Sequence, residues 1–263
     1  MLKSVYNTTV VAAVATVCVA CGTHHSQSAS GAWQLAGVER TRILVDSRYD
    51  AQPDAEAQAF IEPYKAKVNE QMSPVVGRTA RFMASYRPES ELSNLLTDIL
   101  VWAGARFGEK PDFAVYNMGG IRAALPEGDV TVGDVLDTAP FENKIMFLTL
   151  SGAKVKELFA QIAARKGEGV SASVKLRITR DGQLLGAEVG GRPVDDNATY
   201  RIATLDYLAQ GNDGLVAFKS KTDCKSPGGA ENTVRNLIMD YFREAAAKGQ
   251  AVDSSKDGRI TVE

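Results

Sequence analysis

Histidine is almost absent from this chain of 263 residues, which has only two, His24 and His25, next to each other. A Ser-His-Asp or Cys-His catalytic arrangement needs an imidazole as its general base, so neither can be built from the residues after position 25. The pattern Gly-x-x-x-x-Gly-Lys-[Ser/Thr] is also missing, which excludes a P-loop for nucleoside triphosphates. The usual nucleophilic and NTPase sites are therefore excluded.

Cysteine is scarce as well, with three residues at Cys18, Cys21 and Cys224. The first two lie in a leader segment, so the mature domain keeps Cys224 alone and no intrachain disulfide is expected in it. Cys224 lies in the polar sequence Thr-Asp-Cys-Lys, and we interpret it as an incidental free thiol rather than a nucleophile.

The chain has no excess of charge of either sign. Lysine and arginine number 30 against 32 aspartates and glutamates, a formal net charge of -2. A partner that is a nucleic acid polymer requires a basic field over a wide surface, so that class is excluded. Any anion that this protein binds must be held by a few well-placed arginines.

The first 21 residues have the pattern of a bacterial lipoprotein signal peptide. Lys3 precedes an apolar run from Val10 to Ala20, which is too short to span a bilayer but has the length of a signal-peptide core. Ala20-Cys21-Gly22 then resembles a lipobox, although Cys18 stands where such boxes usually have Leu. We predict export, lipidation of Cys21 and anchoring to the cell envelope by lipid alone, on its periplasmic or surface face. Plain signal cleavage nearby is the alternative.

Residues 22–50 form a predicted tether and leading strand. Residues 22–31 are small and polar and include the two histidines, which we interpret as part of a spacer. A flexible tether would give a metal ion no fixed geometry. Ile43-Leu44-Val45 is strand-like.

Residues 51–74 are predicted to form a linker helix, because Phe60, Tyr64, Val68 and Met72 recur every four residues. Pro63 lies inside that pattern, and either kinks the helix or splits it in two.

Residues 75–263 read as one domain in which strands and helices alternate, with hairpins among them. We therefore expect an α/β (α+β) sandwich with mixed sheets between outer helices. Apolar patterns predict strands at residues 75–82, 113–116, 144–150, 174–178, 200–209 and 257–262, and helices at residues 88–107, 151–162 and 234–245.

The sequence Asn117-Met118-Gly119-Gly120-Ile121-Arg122 directly follows the predicted strand at residues 113–116. Two glycines remove side chains where the chain must turn and allow the backbone to approach a ligand closely. Arg122 adds a planar guanidinium with five donors, which suits a phosphate or carboxylate. A plain turn with a solvated arginine is the alternative if the hexapeptide is considered alone.

Four motifs in this order resemble the C-terminal domain of the periplasmic and surface 5'-nucleotidases. They are Asn-Met-Gly-Gly-Ile-Arg, Pro-Phe-x-Asn at residues 140–143, Leu-Ser-Gly at residues 150–152, and Tyr-Leu-Ala-Gln-Gly-Asn-Asp-Gly at residues 207–214. The resemblance covers residues 75–263 and implies an α/β/β/α sandwich that recognises a nucleotide, while a separate metallophosphatase domain cleaves its phosphate.

The resemblance implies a role for each matching residue. Phe141 and Tyr207 would stack on the two faces of the base, and Asp213 would accept hydrogen bonds from ribose hydroxyls. The implied substrate-binding set is Arg87, Asn117, Gly119, Gly120, Arg122, Phe141, Asn143, Tyr207 and Asp213. Arg87 matches only across a gap, and Arg81 is the alternative. Apart from the resemblance, an aromatic pair supplies affinity with little base selectivity, because every base has a π-face.

The motifs of a dinuclear metal centre are missing from this sequence, which has no Asp-x-His, Gly-Asn-His or Gly-His-x-His. We therefore predict no cofactor in this chain, and divalent metals only in a separate metallophosphatase partner.

Three functions remain open from the sequence. The first is the nucleotide-recognition component of a split 5'-nucleotidase, with the helix at residues 53–72 as docking element. The second is a nucleotide- or nucleoside-binding lipoprotein without a catalytic partner. The third is an interaction lipoprotein with a degenerate pocket, which Met118 and Glu142 permit, because a carboxylate near a phosphate site repels it.

Overall fold

A computed structural model describes residues 37–51 and 54–263, and these residues divide into two units. In the first unit, residues 37–51 have no helix or strand except a 3₁₀ turn, Ser47–Tyr49, which Asp46 caps by accepting a hydrogen bond from Arg48 N. The predicted strand at Ile43-Leu44-Val45 is wrong: these residues are exposed and no described strand pairs with them. A strand requires a ladder partner for its backbone groups. Cys21, His24 and His25 lie outside the described residues.

The second unit begins with helix α1, Ala55–Met72. The helix runs through Pro63 as one element, so the proline does not split it. Its apolar residues do not enter the core: Phe60 is 70% exposed and Tyr64 is 64% exposed. No helix among the described residues is long and apolar enough to cross a membrane.

Eleven strands form three sheets within the described residues. A two-stranded antiparallel sheet pairs β1, Val75–Thr79, with β3, Gly128–Thr131. The five-stranded sheet has the order β10-β4-β9-β2-β5, and the four-stranded sheet has the order β11-β6-β7-β8. Their bounds are β2 Phe113–Tyr116, β4 Ile145–Ser151, β5 Gly169–Val170, β6 Val174–Ile178, β7 Leu184–Val189, β8 Arg192–Pro193, β9 Thr199–Leu205, β10 Thr222–Lys225 and β11 Ile260–Val262.

Five further helices pack around these sheets, namely α2 Glu91–Arg106, α3 Val132–Thr138, α4 Gly152–Ala164, α5 Asp206–Ala209 and α6 Val234–Ala247. Helix α2 contacts β2 and β5 and buries most of its apolar residues. Helix α4 contacts β4 and β7 and therefore lies against both large sheets. Pairing is both parallel, as in β2 with β9, and antiparallel, as in β4 with β9. The predicted α/β class with mixed sheets is confirmed.

Local signals account for several boundaries. Ser90 and Ser93 form a reciprocal capping box at the start of α2, and Thr131 and Asp134 form another at the start of α3. Gly108, after α2, has the left-handed φ of +67°. Four predicted bounds were wrong by three residues or more. Helix α2 begins at Glu91 rather than Pro88, and the strand predicted at residues 200–209 ends at Leu205, where α5 begins. The strand predicted at residues 75–82 ends at Thr79, and the strand predicted at residues 257–262 begins at Ile260.

Candidate functional site

One cavity brings together most of the residues singled out from the sequence. It has a volume of about 200 Å³ and is lined by Asn117, Gly119, Phe141, Asn143, Tyr207 and Asp213. These residues come from three separate segments of the chain, the turn after β2, the loop before β4, and α5 with the loop that follows it. The fold therefore joins three of the four sequence motifs at one place.

The first side of the cavity is the turn after β2. All four residues of β2 are buried, and a 3₁₀ turn, Met118–Gly120, follows Asn117 directly. A Cβ atom at Gly120 would lie 2.7 Å from Asn117 Oδ1, a distance that no side chain tolerates without displacement. At Gly119 the nearest atom to such a Cβ would be Asp213 Oδ2, 4.0 Å away. Gly120 thus makes room for the Asn117 side chain, whereas Gly119 lines the cavity.

The opposite side is the loop at residues 211–214, which carries Asp213. Three of its residues have left-handed backbone: Gly211 at φ +82°, Asp213 at φ +54° and Gly214 at φ +72°. Asp213 is the one residue of the three that has a Cβ, and left-handed backbone is unusual for it. The conformation directs its carboxylate to Asn117, whose Nδ2 donates to Asp213 Oδ2 at 2.8 Å. This hydrogen bond joins the two sides.

Tyr207 occupies the first turn of α5. Its hydroxyl donates to Asp213 Oδ1 at 3.0 Å, its backbone N donates to Asp206 Oδ1, and its carbonyl accepts from Asn212 Nδ2. The hydrogen bond to Asp213, together with desolvation and the negative charge of that carboxylate, raises the pKa of Tyr207 above its ordinary value. Tyr207 is still 37% exposed and lines the cavity.

Phe141 is the second aromatic residue of the cavity and is 47% exposed. The neighbouring Glu142 carboxylate accepts a hydrogen bond from Arg235 Nη1 at 3.1 Å, and Arg235 also donates to the carbonyls of Ala139 and Pro140. The charge of Glu142 is therefore paired with Arg235, and Glu142 does not line the cavity. One arginine from α6 thus holds the turn that presents Phe141.

The Asn117 side chain carries a buried acceptor without a hydrogen-bond partner. The residue is 5% exposed, and its Oδ1 has no hydrogen-bond partner, although its Nδ2 is bonded to Asp213. A buried carbonyl oxygen without a partner is costly.

The predicted arginines do not line this cavity. Arg122 is exposed, and its Nη1 donates to the carbonyl of Gly119 at 3.3 Å, which places it beside the lining. Arg87 lines a different depression and donates to Glu168 Oε1 and to the carbonyl of Gly167. Arg81 forms an ion pair with Asp253 at 2.6 Å. The predicted contact of each arginine with a ligand stays a prediction, and the structure places only Arg122 near the cavity.

Sequence reasoning missed Glu168, which is bonded to the turn that lines the site, and its partner Arg165. The Glu168 carboxylate accepts hydrogen bonds from Arg87, from Arg165 Nε at 2.6 Å and from the backbone N of Met118. Desolvation opposes the charge of Arg165, but the hydrogen bond and charge of Glu168 outweigh it and, with the charge of Asp213, raise the Arg165 pKa. Neither residue belongs to a recognisable motif, because their contacts are made only in the folded chain.

Within residues 37–51 and 54–263, no group of three or more His, Cys, Asp or Glu side chains is placed to hold a metal ion. The cavity lining offers two aromatic side chains, one carboxylate, two amide side chains and a glycine.

Comparison with known proteins identifies the domain. The family model described as "5'-nucleotidase, C-terminal domain" matches residues 73–220. "Protein UshA" of Yersinia enterocolitica is 32% identical over 158 residues, which is 59% of this chain and 28% of that protein. A "5'-nucleotidase" of Vibrio cholerae is 25% identical over 67% of this chain and 32% of that protein.

Among solved structures, a 5'-nucleotidase precursor from Thermus thermophilus matches with a TM-score of 0.65 and 25% identity, over 78% of this chain and 42% of that chain. The chain thus spans about a third or less of the length of the two relatives compared. The predicted family is confirmed. This chain belongs to the 5'-nucleotidase C-terminal domain family.

Proposed function

We propose that this protein is the nucleotide-recognition component of a split 5'-nucleotidase. It binds the nucleoside part of a nucleoside monophosphate, and a separate metallophosphatase polypeptide, which holds the divalent metals, hydrolyses the ester. The observation that carries the proposal is the single cavity lined by two half-exposed aromatic rings, an aspartate, two asparagines and a glycine.

The composition of the cavity fits a nucleoside. An aromatic side chain that stacks on a base contributes about 1–3 kcal/mol, so Phe141 and Tyr207 together supply most of the affinity. The ionised carboxylate of Asp213 has acceptor sites beyond those used by Asn117 and Tyr207, which suits the two hydroxyls of a ribose. A volume of about 200 Å³ is below the range of about 300–1,000 Å³ for pockets that enclose a whole ligand. The phosphate would then extend outside the cavity.

Helix α1 is the proposed docking element for the metallophosphatase. It contacts α3, yet the side chains of Phe60, Ile61, Tyr64 and Val68 are between 50% and 70% exposed. An exposed apolar stripe on a helix is typical of a surface that another polypeptide covers. Export and a lipid anchor at Cys21 would place both components at the cell envelope, where nucleotides are broken down outside the cytoplasm.

The test measures phosphate release from AMP by three samples, each with Mn²⁺: the purified chain alone, a metallophosphatase from the same organism alone, and their mixture. We expect phosphate release from the mixture only, or clearly more release from the mixture than from either component alone. Tyr207→Ala should reduce the increase by weakening nucleotide binding. Phe60→Ala with Tyr64→Ala should abolish the increase but leave AMP binding intact. Phosphate release by the chain alone would contradict the proposal.

The alternative is a nucleotide- or nucleoside-binding lipoprotein that has no enzymatic partner. The paired charge of Glu142 favours a working cavity in either case. Calorimetric binding of AMP without any effect on phosphate release in the mixture would support this alternative.

A further inference from the structure

Glu168 stands out because its carboxylate is completely buried and is bonded to the turn that lines the cavity. Its side chain is 0% exposed, and its oxygens accept from two guanidinium groups and one backbone N–H. Such a group is costly to bury unless all its partners are in place. We propose that Glu168 is a positioning residue for nucleotide binding: it holds the Asn117–Gly120 turn and the Tyr207–Asp213 side of the cavity in register.

The contact with the turn follows from strand pairing. In the antiparallel ladder of β2 with β5, Val115 is opposite Val170 and Tyr116 is opposite Gly169. Continued by one residue, that register places Glu168 opposite Asn117. The backbone N of Met118 then donates to Glu168 Oε2 at 2.5 Å, which fixes the peptide that joins Asn117 to Met118. The direction of the Asn117 side chain therefore depends on Glu168.

The contact with the other side runs through Arg165. Its Nε donates to Glu168 Oε1 at 2.6 Å, and its positive charge also acts on Asp213 and Tyr207. Glu168 thus fixes the position of a guanidinium whose charge acts on the Asp213 carboxylate. Because Asn117 and Asp213 are hydrogen-bonded to each other, a shift on one side is transmitted to the other.

The loop that carries Glu168 has little freedom to move. Lys166 has φ +64° and Gly167 has φ +108°, and a Cβ at Gly167 would lie 2.4 Å from the carbonyl O of Pro88. Arg87 closes the contact by donating from Nε to the carbonyl of Gly167 at 2.8 Å. Through its contacts with Gly167 and Glu168, Arg87 supports the cavity rather than lining it.

The experiment is a double-mutant cycle on the full chain, with AMP binding measured by calorimetry. Glu168→Gln keeps the shape but removes the charge and one of two equivalent acceptor oxygens. We expect it to weaken AMP binding about tenfold, and to have little further effect once Asn117→Ala is present, since both act through the same turn. Glu109→Gln is the matched control, because Glu109 is also a largely buried carboxylate with two cationic partners, but those partners, Arg201 and Lys225, do not belong to the turn that Glu168 holds.

If the role of Glu168 were purely structural, Glu168→Gln would lower the melting temperature, but its effect on AMP binding would not depend on Asn117. The proposal would be overturned if Glu168→Gln weakened AMP binding by the same factor in the wild type and in Asn117→Ala. It would also be overturned if Glu168→Gln left AMP binding unchanged. If Glu168→Gln does not fold, Arg165→Gln takes its place in the cycle with the same criteria. The inference rests on the proposed function. A wild-type chain that binds no nucleotide overturns both, whereas wild-type binding with an unaffected Glu168→Gln overturns this inference alone.

Discussion

The hydroxyl of Tyr207 donates a hydrogen bond to Asp213 Oδ1 across 3.0 Å. This contact restrains the side chain of Tyr207, which lines the cavity and is 37% exposed. It also links the residue proposed to stack on the base to the residue proposed to bind the ribose. Stacking and sugar recognition are therefore coupled in this site, and variants of either residue report on both.

Replacing Tyr207 tests the stacking role. Tyr207→Ala should weaken AMP binding by about 1–3 kcal/mol, because one aromatic face is lost. Tyr207→Phe keeps the ring and loses only the hydroxyl, so most of the affinity should remain. Calorimetry of both variants separates the two contributions. Equal affinity of Tyr207→Ala and the wild type would exclude stacking.

Alanine substitutions at the two glycines of the turn after β2 form a matched pair of variants for measuring the free energy of unfolding. Gly120→Ala should destabilise the fold by about 1–3 kcal/mol, since the new Cβ would overlap Asn117 Oδ1. Gly119→Ala adds the same methyl group in an open position and should leave stability close to that of the wild type. Denaturant unfolding of the two variants measures the difference. Similar stabilities would show that the turn adapts to the extra atom.

Asp213 should make binding sensitive to the sugar. The wild-type protein should bind adenosine more tightly than 2',3'-dideoxyadenosine by about 1.5–3 kcal/mol, the range for hydrogen bonds to a charged group. Asp213→Asn should reduce this difference, and asparagine tolerates the left-handed backbone at this position. The measurement is calorimetry with both nucleosides and both proteins. No difference between the nucleosides in the wild type would contradict the role of Asp213.

The raised pKa of Tyr207 gives a prediction for pH. The hydrogen bond to Asp213 favours the protonated phenol, so its contribution to stability is complete below the ordinary tyrosine pKa and is lost as the pH rises past the raised value. Asp213→Asn removes the charge and should lower the Tyr207 pKa. The tyrosinate absorbance of the wild type minus that of Tyr207→Phe, recorded against pH, isolates this group. An unchanged titration in Asp213→Asn would show that the carboxylate is not the cause.

Much of the fold and of the cavity lining was predictable from local sequence. The apolar periods predicted helices α2, α4 and α6 and the main strands. Asn117, Phe141, Tyr207 and Asp213 were named from motifs at strand ends, and the structure places all four around one cavity. Their roles in binding stay predictions.

The remainder depends on contacts that are distant in the sequence. Arg87 was predicted to reach a ligand, but it is bonded to Glu168, 81 positions later, and no local pattern encodes that approach. Ile43-Leu44-Val45 has the composition of a strand and lacks a partner to pair with among the described residues. Strands β5, β8 and β10 are two to four residues long, too short to show a period.

The measurement that tests the central claim most directly is calorimetric titration of the purified wild-type chain, and of the Phe141→Ala/Tyr207→Ala double variant, with AMP in the absence of any metallophosphatase. We predict saturable binding of one nucleotide by the wild type, no release of phosphate, and loss of binding in the double variant. Absence of binding by the wild type at millimolar AMP, or undiminished binding by the double variant, would contradict it.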